Sequence, residues 1–239
     1  MEWEAFAMFG YLSWRPEGRP RIALEPVRIG GVTFLVLDVQ GSERRVRRRV
    51  RRAVADMERC GVRRCVMPDC WPESWRGDLL PVEEQNLRQA VFPQLLERVC
   101  RQQDLGLADG TTMLTAPFMS QSVWDAADLL AQRSRYLILS VEGGEALRQQ
   151  LWRRYGISAG SGGRRPVLQV CFREPVERVP ALLLGPDCGR RQSIAYDLPP
   201  ERKKGLAHWE MTSQMVSALW ESGALPAEEI RVKSLGFHA

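Results

Sequence analysis

The hydrophobic period of the chain changes after Val39, and this change constrains the fold more than any other feature of the sequence. Before that point the apolar residues form short, β-rich runs, whereas afterwards they recur about every 3.6 residues in segments separated by further apolar runs. Strands that alternate with helices in this way are typical of a parallel sheet covered by crossover helices. The sequence therefore predicts an α/β fold with a mixed, mainly parallel sheet.

Residues 1–40 differ from the rest because they carry strand signals only. The runs from Ile22 to Ile29 and from Val32 to Val39 flank the pair Gly30-Gly31. Two adjacent glycines can both adopt the positive φ that a tight hairpin turn needs. We therefore predict an antiparallel, β-hairpin-rich N-terminal segment. Since no linker or internal repeat interrupts the pattern, we expect a single α/β domain over 1–239.

The most unusual segment is the predicted helix 43–60, which carries seven arginines between residues 44 and 52. Its apolar residues share one stripe, so the arginines cover the remaining circumference. The net charge of the chain is +5, so the residues other than these seven arginines carry a net negative charge. Two interpretations stay open. The helix either presents a solvated face, with arginine favoured by codon bias, or binds an anionic ligand, an acidic partner or a nucleic-acid backbone.

The loop between Val39 and this helix is a candidate ligand site, because ligands of open α/β sheets bind at the carboxyl ends of the strands. The pattern is Rossmann-like, but the loop has one glycine where a dinucleotide fingerprint has three, so we predict no cofactor. Arginines in the first helical turn oppose the helix dipole, a conflict that a bound anion would remove. The predicted anion-binding residues are Gln40, Gly41, Ser42, Arg44 and Arg45.

The next strand-end loop, Pro68 to Pro81, contains a candidate catalytic acid and two aromatic residues. Asp69 directly follows a predicted buried strand and lies among Trp and Pro residues able to desolvate it. No Gly-x-Ser-x-Gly or H-E-x-x-H motif accompanies it, so the sequence leaves open whether the protein is an enzyme. Trp71 and Trp75 either close the edge of the domain or form a partner surface.

Neither a metal site nor a disulfide framework is predicted. The first three of the six cysteines have C-x4-C-x4-C spacing, which does not match a zinc-binding pair, and the chain has only two histidines. The N-terminus lacks the basic and apolar regions of a signal peptide, and no apolar run is long enough for a membrane helix. We therefore expect a cytoplasmic protein with free thiols and no membrane contact.

Three functions remain open from the sequence alone. The first is a non-catalytic intracellular protein that acts through protein partners or self-association as a homo-oligomer. The second is an enzyme or sensor that binds a small anionic or nucleotide-like ligand at the carboxyl ends of the strands. The third is phosphate-backbone binding to a nucleic acid by helix 43–60. The sequence favours the first, because no motif commits the chain to a reaction.

Overall fold

The N-terminal hairpin forms as the sequence predicts. A computed structural model describes residues 9–160, 164–186 and 192–237. In it, β2 (Arg21–Ile29) pairs antiparallel with β3 (Val32–Gln40) around Gly30 and Gly31. Both glycines have positive φ, +57° and +94°, which a side chain at either position would disfavour. The first eight residues of the predicted N-terminal segment lie outside the described part of the chain.

The first sheet is mixed, and only its edge is antiparallel. Its strand order is β2-β3-β1-β4-β5, in which β1, β3, β4 and β5 run parallel to one another. The other three strands are β1 (Phe9–Arg15), β4 (Arg64–Val66) and β5 (Leu80–Pro81). Pro26 lies on β2, at the edge, where its missing N–H costs no ladder hydrogen bond. The N-terminal segment thus supplies the centre of a parallel sheet as well as the predicted hairpin.

α1 (Glu43–Arg59) packs on this sheet through an apolar stripe. The buried residues of the stripe are Val46, Val50, Ala53, Val54 and Met57. They form one hydrophobic cluster with β1 and β3 residues such as Leu12, Leu37 and Val39. Gly10 allows this close packing, because a Cβ there would lie 2.6 Å from Cε of Met57. Burial of this stripe fixes which side of α1 faces solvent.

Two helices near the C-terminus return to the first sheet. One helix of about 207–222 is predicted from the helical spacing of Trp209, Val216, Leu219 and Trp220, but the structure has two, α6 (Pro200–Leu206) and α7 (Ser213–Glu221). The Thr212 hydroxyl accepts a hydrogen bond from the Met215 N–H at 3.2 Å and so begins α7 later than the pattern suggests. Gln214 of α7 accepts a hydrogen bond from the Met67 N–H at 2.8 Å, which ties the helix to the end of β4.

A second sheet has four parallel strands in the order β7-β6-β8-β9. The strands are β6 (Thr111–Ala116), β7 (Tyr136–Val141), β8 (Leu168–Cys171) and β9 (Ala181–Leu183). The helices of this region are α2 (Gln85–Ala90), α3 (Phe92–Gln102), α4 (Gln121–Arg133) and α5 (Glu145–Tyr155). The strands β10 (Gln192–Asp197) and β11 (Arg231–Phe237) of the same region pair antiparallel and form a separate two-stranded sheet. Pro93 falls in the first turn of α3, where its missing N–H is tolerated.

The contacts divide the chain into two compact units. One contains the described residues up to Glu83 together with Leu198–Ile230, and the other contains Glu84–Asp197 together with the segment from Arg231. Each unit has its own parallel strands and covering helices. The α/β class with a mainly parallel sheet is confirmed, and the single domain over 1–239 stays a prediction.

Candidate functional site

Seven exposed arginines of α1 form a continuous surface, which we call the arginine face. Its members are Arg44, Arg45, Arg47, Arg48, Arg49, Arg51 and Arg52. The buried apolar stripe takes up about 100° of the helix circumference, and the arginine face covers an arc of about 200° on the other side. From its first to its last residue the face extends about 12 Å along the helix axis. Packing of the stripe therefore presents all seven guanidinium groups to solvent.

The charge of the arginine face is not neutralised within the described parts of the chain. None of its seven guanidinium groups forms an ion pair with a described carboxylate, whereas arginines elsewhere in the described residues do, for example Arg88, Arg154 and Arg202. Two acids of α1 have other partners: Asp56 pairs with Arg59, and Glu58 accepts the Asp78 N–H at 2.7 Å. Among the seven, Arg51 is fixed by a 3.1 Å hydrogen bond from Nε to the Ser74 carbonyl.

The loop before α1 keeps only part of the predicted small-anion site available. Ser42, Arg44 and Arg45 are exposed, Gln40 is half-buried and Gly41 is buried. The Gly41 N–H, which an anion would need, already donates to the Arg15 carbonyl at 2.9 Å. The Gly41 carbonyl accepts the Trp14 indole N–H at 3.1 Å. Cations are thus available at the start of α1, but the central amide of the predicted loop site is not.

Trp71 and Trp75 belong to the hydrophobic core of the first unit. They are 9% and 0% exposed and lie in the same cluster as the apolar stripe of α1. Their ring centroids are 5.5 Å apart in an edge-to-face arrangement, and Trp75 meets Trp14 in the same way at 5.0 Å. Of the two roles predicted for these residues, burial favours closing the domain edge over forming a partner surface.

Asp69 lies in an exposed turn after β4, beside the exposed Cys70. The tryptophans expected to desolvate it are buried in the core instead, so the environment that motivated the prediction does not form around the carboxylate. A catalytic role for Asp69 therefore stays a prediction without that support.

A polar cluster at the carboxyl ends of β1 and β3 includes residues that the sequence analysis did not single out. The Ser13 hydroxyl donates to Asp38, and Arg15 forms a 2.8 Å ion pair with the same carboxylate. Burial raises the pKa of Tyr11, and the nearby Glu210 carboxylate raises it further. The period-2 alternation of β1 places Tyr11, Ser13 and Arg15 on one face, which is the signal that could have found them. Since Arg15 neutralises Asp38, the cluster ties two neighbouring strands together.

The second unit has its own position for a ligand, at the carboxyl ends of β6 and β8. These strands are neighbours, although the chain visits β7 between them, and such a reversal of strand order opens a crevice in α/β sheets. Phe118 in the loop after β6 is 66% exposed. Arg173 after β8 donates to the Ser140 hydroxyl at 2.8 Å. These side chains supply no charged cluster comparable with the arginine face.

The described residues do not meet the requirements of a disulfide, a metal site or a membrane-spanning helix. None of the described cysteines forms a disulfide: these are Cys60, Cys65, Cys70, Cys100 and Cys171. Burial raises the pKa of Cys65 to about 12, which keeps it a thiol. No group of three or more His, Cys, Asp or Glu residues in the described ranges is arranged to hold a metal ion. None of the described helices combines the length and the hydropathy needed to cross a bilayer.

Comparison with known proteins adds no relative from which a residue's role could be transferred. No protein-family model matches the chain, and no curated protein matches it. The functional conclusion therefore depends on the geometry and charge of the chain itself.

Proposed function

We propose that the protein binds double-helical DNA through the arginine face of α1, with backbone phosphates as the principal ligands. The observation that supports this proposal is the set of seven exposed guanidinium groups without a described carboxylate partner. A guanidinium group donates paired N–H groups whose geometry matches a phosphate, and it remains charged at every physiological pH. Binding a polyanion would neutralise all seven charges together.

The width of the arginine face favours a groove over a flat anionic surface. A flat surface meets the middle of an arc of about 200° more easily than its edges, where the arginine side chains would have to bend around a helix about 10–12 Å across. The major groove of B-form DNA is about 12 Å wide, so it admits an α-helix between two phosphate walls. In that position Arg47 and Arg49, at opposite edges of the arc, would each reach one wall. The deep, narrow major groove of A-form RNA excludes the same arrangement.

The composition of the arginine face disfavours a protein partner or a lipid surface as its ligand. Arginine is common at protein interfaces, but the centres of those interfaces also depend on buried aromatic anchors, and the face has no aromatic residue. A helix that lies in a membrane interface inserts its apolar side, and the apolar stripe of α1 is already buried in the core. Phosphates require neither feature.

The first turn of α1 gives independent support. Arg44 and Arg45 lie at the positive end of the helix dipole, and Glu43 is the acidic residue of that turn. The Ser42 side chain makes no capping hydrogen bond that would satisfy an amide there. A phosphate near this end would interact favourably with the dipole and with both arginines.

The two alternatives from the sequence have less structural support. The candidate contact residues for the protein-partner function were Trp71 and Trp75, and both are buried. The small-anion function depended on the loop at Gly41, whose N–H is engaged by Arg15. DNA binding needs neither feature, because it uses side chains of α1 that are exposed.

The experiment that tests this function compares two variants with the same change in net charge. The face variant replaces Arg47, Arg48, Arg51 and Arg52 by Ser. The control variant replaces four ion-paired arginines of the second unit by Ser: Arg101, Arg133, Arg148 and Arg154. Fluorescence anisotropy measures binding to a labelled DNA duplex about two helical turns long at about 50 mM salt.

We expect the face variant to bind the duplex on the order of 100-fold more weakly than the unmodified protein, because it loses four phosphate contacts. The control variant should stay within about threefold of the unmodified protein, since attraction from distant charges is largely screened. Equal weakening in both variants would reduce the effect to net charge and contradict the proposal, as would failure of the unmodified protein to bind.

A further inference from the structure

A cavity of about 410 Å³ opens in the first unit, at the end of the sheet where the chain turns from β2 into β3. Residues of the hairpin turn, of α6 and of α7 line it. This size lies within the range of about 300–1,000 Å³ that is usual for small-molecule sites. The cavity shares no lining residue with the arginine face, so it is a separate site.

The floor of the cavity is apolar. Leu206 of α6, Leu219 of α7 and Leu225 after α7 line it, and each is at most 3% exposed in the structure. These side chains offer no hydrogen-bond partner to a ligand, so the part of the ligand that contacts them must be apolar too. An aliphatic body of a few carbons gains about 0.8 kcal/mol for each methylene group buried there.

Arg28 supplies a positive charge at the cavity wall. Its Nε donates to the Gly31 carbonyl at 3.3 Å, which orients the guanidinium group, and no described carboxylate pairs with it. Arg202 also lines the cavity, but it forms two hydrogen bonds, of 2.7 and 3.2 Å, with the Glu229 carboxylate. The Arg28 guanidinium is therefore available to bind an anionic group.

Glu201 limits the charge that a ligand can carry. It lines the same cavity and forms no ion pair with a described residue. A ligand with several negative charges would be repelled by this carboxylate, whereas a ligand with one can use Arg28 and keep its apolar body on the leucines. Phosphate-rich ligands such as nucleotides are thus disfavoured here.

Gly205 is the lining residue at which a side chain can be added most easily. It lies in the last turn of α6, where glycine is less favourable than alanine by about 0.5–1 kcal/mol. A Cβ at this position would meet no other atom within 4 Å, so a larger side chain fits there without displacing a neighbour. Substitution of Gly205 therefore changes the lining of the cavity and leaves the core leucines in place.

We propose that this cavity binds a small amphipathic monocarboxylate, with its carboxylate on Arg28 and its apolar body on Leu206, Leu219 and Leu225. The site is separate from the DNA-binding function, and its test uses no DNA. Octanoate is the probe, and octanamide is the matched neutral compound of the same length. Isothermal titration calorimetry of the full chain measures both.

Three variants make the test specific. Gly205→Leu adds a bulky side chain to the cavity lining, Gly205→Ala adds a single methyl group as its control, and Arg28→Gln removes the charge. We expect octanoate to bind the unmodified protein at one site, at least tenfold more tightly than octanamide. Gly205→Leu and Arg28→Gln should each weaken octanoate binding by about tenfold or more, which corresponds to about 1.4 kcal/mol. Gly205→Ala should stay within about threefold.

The proposal is overturned if octanoate does not bind, if octanamide binds equally well, or if Gly205→Leu binds octanoate as the unmodified protein does. Circular dichroism melting of each variant shows whether it is folded. Should Gly205→Leu fail to fold, Arg28→Gln still decides the test, because Arg28 is exposed and its replacement removes no core contact. Unchanged octanoate binding to Arg28→Gln would then contradict the proposal.

Discussion

Between about 50 and 200 mM salt, the affinity of this protein for a DNA duplex is expected to fall by about 10³- to 10⁵-fold. Each phosphate neutralised by a cation releases condensed counterions, which lowers the slope of log affinity against log salt by about 0.9. If all seven guanidinium groups of the arginine face contact phosphates, the slope is about −6. Anisotropy titrations at several salt concentrations measure it.

Comparing the slopes of the face variant and the control variant gives the number of phosphate contacts that the arginine face makes. The face variant retains three of the seven cations, so its slope should rise to about −3, while the control variant should keep the slope of the unmodified protein. A slope near zero for the unmodified protein, or equal slopes for the protein and its face variant, would show that these arginines do not contact phosphates.

Replacement of Trp75 by Ala is expected to lower the free energy of unfolding of the first unit by about 3–5 kcal/mol. The side chain is 0% exposed and packs against Trp14 and Trp71, so its removal leaves a cavity in the cluster that supports α1. Urea denaturation followed by circular dichroism measures the loss.

Trp152→Ala is the matched control for this prediction, because the side chain of Trp152 is 63% exposed. Its free energy of unfolding should change by no more than about 0.5 kcal/mol. A Trp75→Ala protein as stable as the unmodified one would contradict the core position of the indole and would restore the partner-surface interpretation of Trp71 and Trp75.

Local patterns predicted the elements that local forces determine. The spacing of Val46, Val50 and Met57 indicates the buried stripe of α1, and the Gly30-Gly31 pair indicates the β2–β3 turn, because both signals depend on neighbouring residues only. Serine before an apolar helical pattern is typical of a helix N-cap, so Ser120 predicts the start of α4, and its hydroxyl does accept the Val123 N–H. These features required no knowledge of distant contacts.

The features that the sequence did not predict depend on contacts between distant segments. The pattern of β1 shows that it is a strand, but not that it pairs parallel with β3 and β4. The sequence places Trp75 in a loop, and only its contact with Trp14 of β1 shows that it belongs to the core.

The same limit applies to the candidate site. The sequence identifies the seven arginines and the side of the helix they occupy, because the apolar stripe fixes that side. It does not show whether a carboxylate from another segment neutralises them. The structure shows that no described carboxylate pairs with them. It also shows that the Gly41 N–H donates to the Arg15 carbonyl. Both facts depend on the tertiary fold.

Dimethyl sulfate protection of guanine N7 tests the central claim most directly, because N7 lies on the floor of the major groove. The protein is bound to a duplex at about 50 mM salt and the methylated guanines are mapped. We predict that N7 is protected by the unmodified protein and by the control variant, and that the face variant at the same concentration gives no protection. Full occupancy of the duplex with every N7 still reactive would show that α1 does not enter the major groove and would contradict the account.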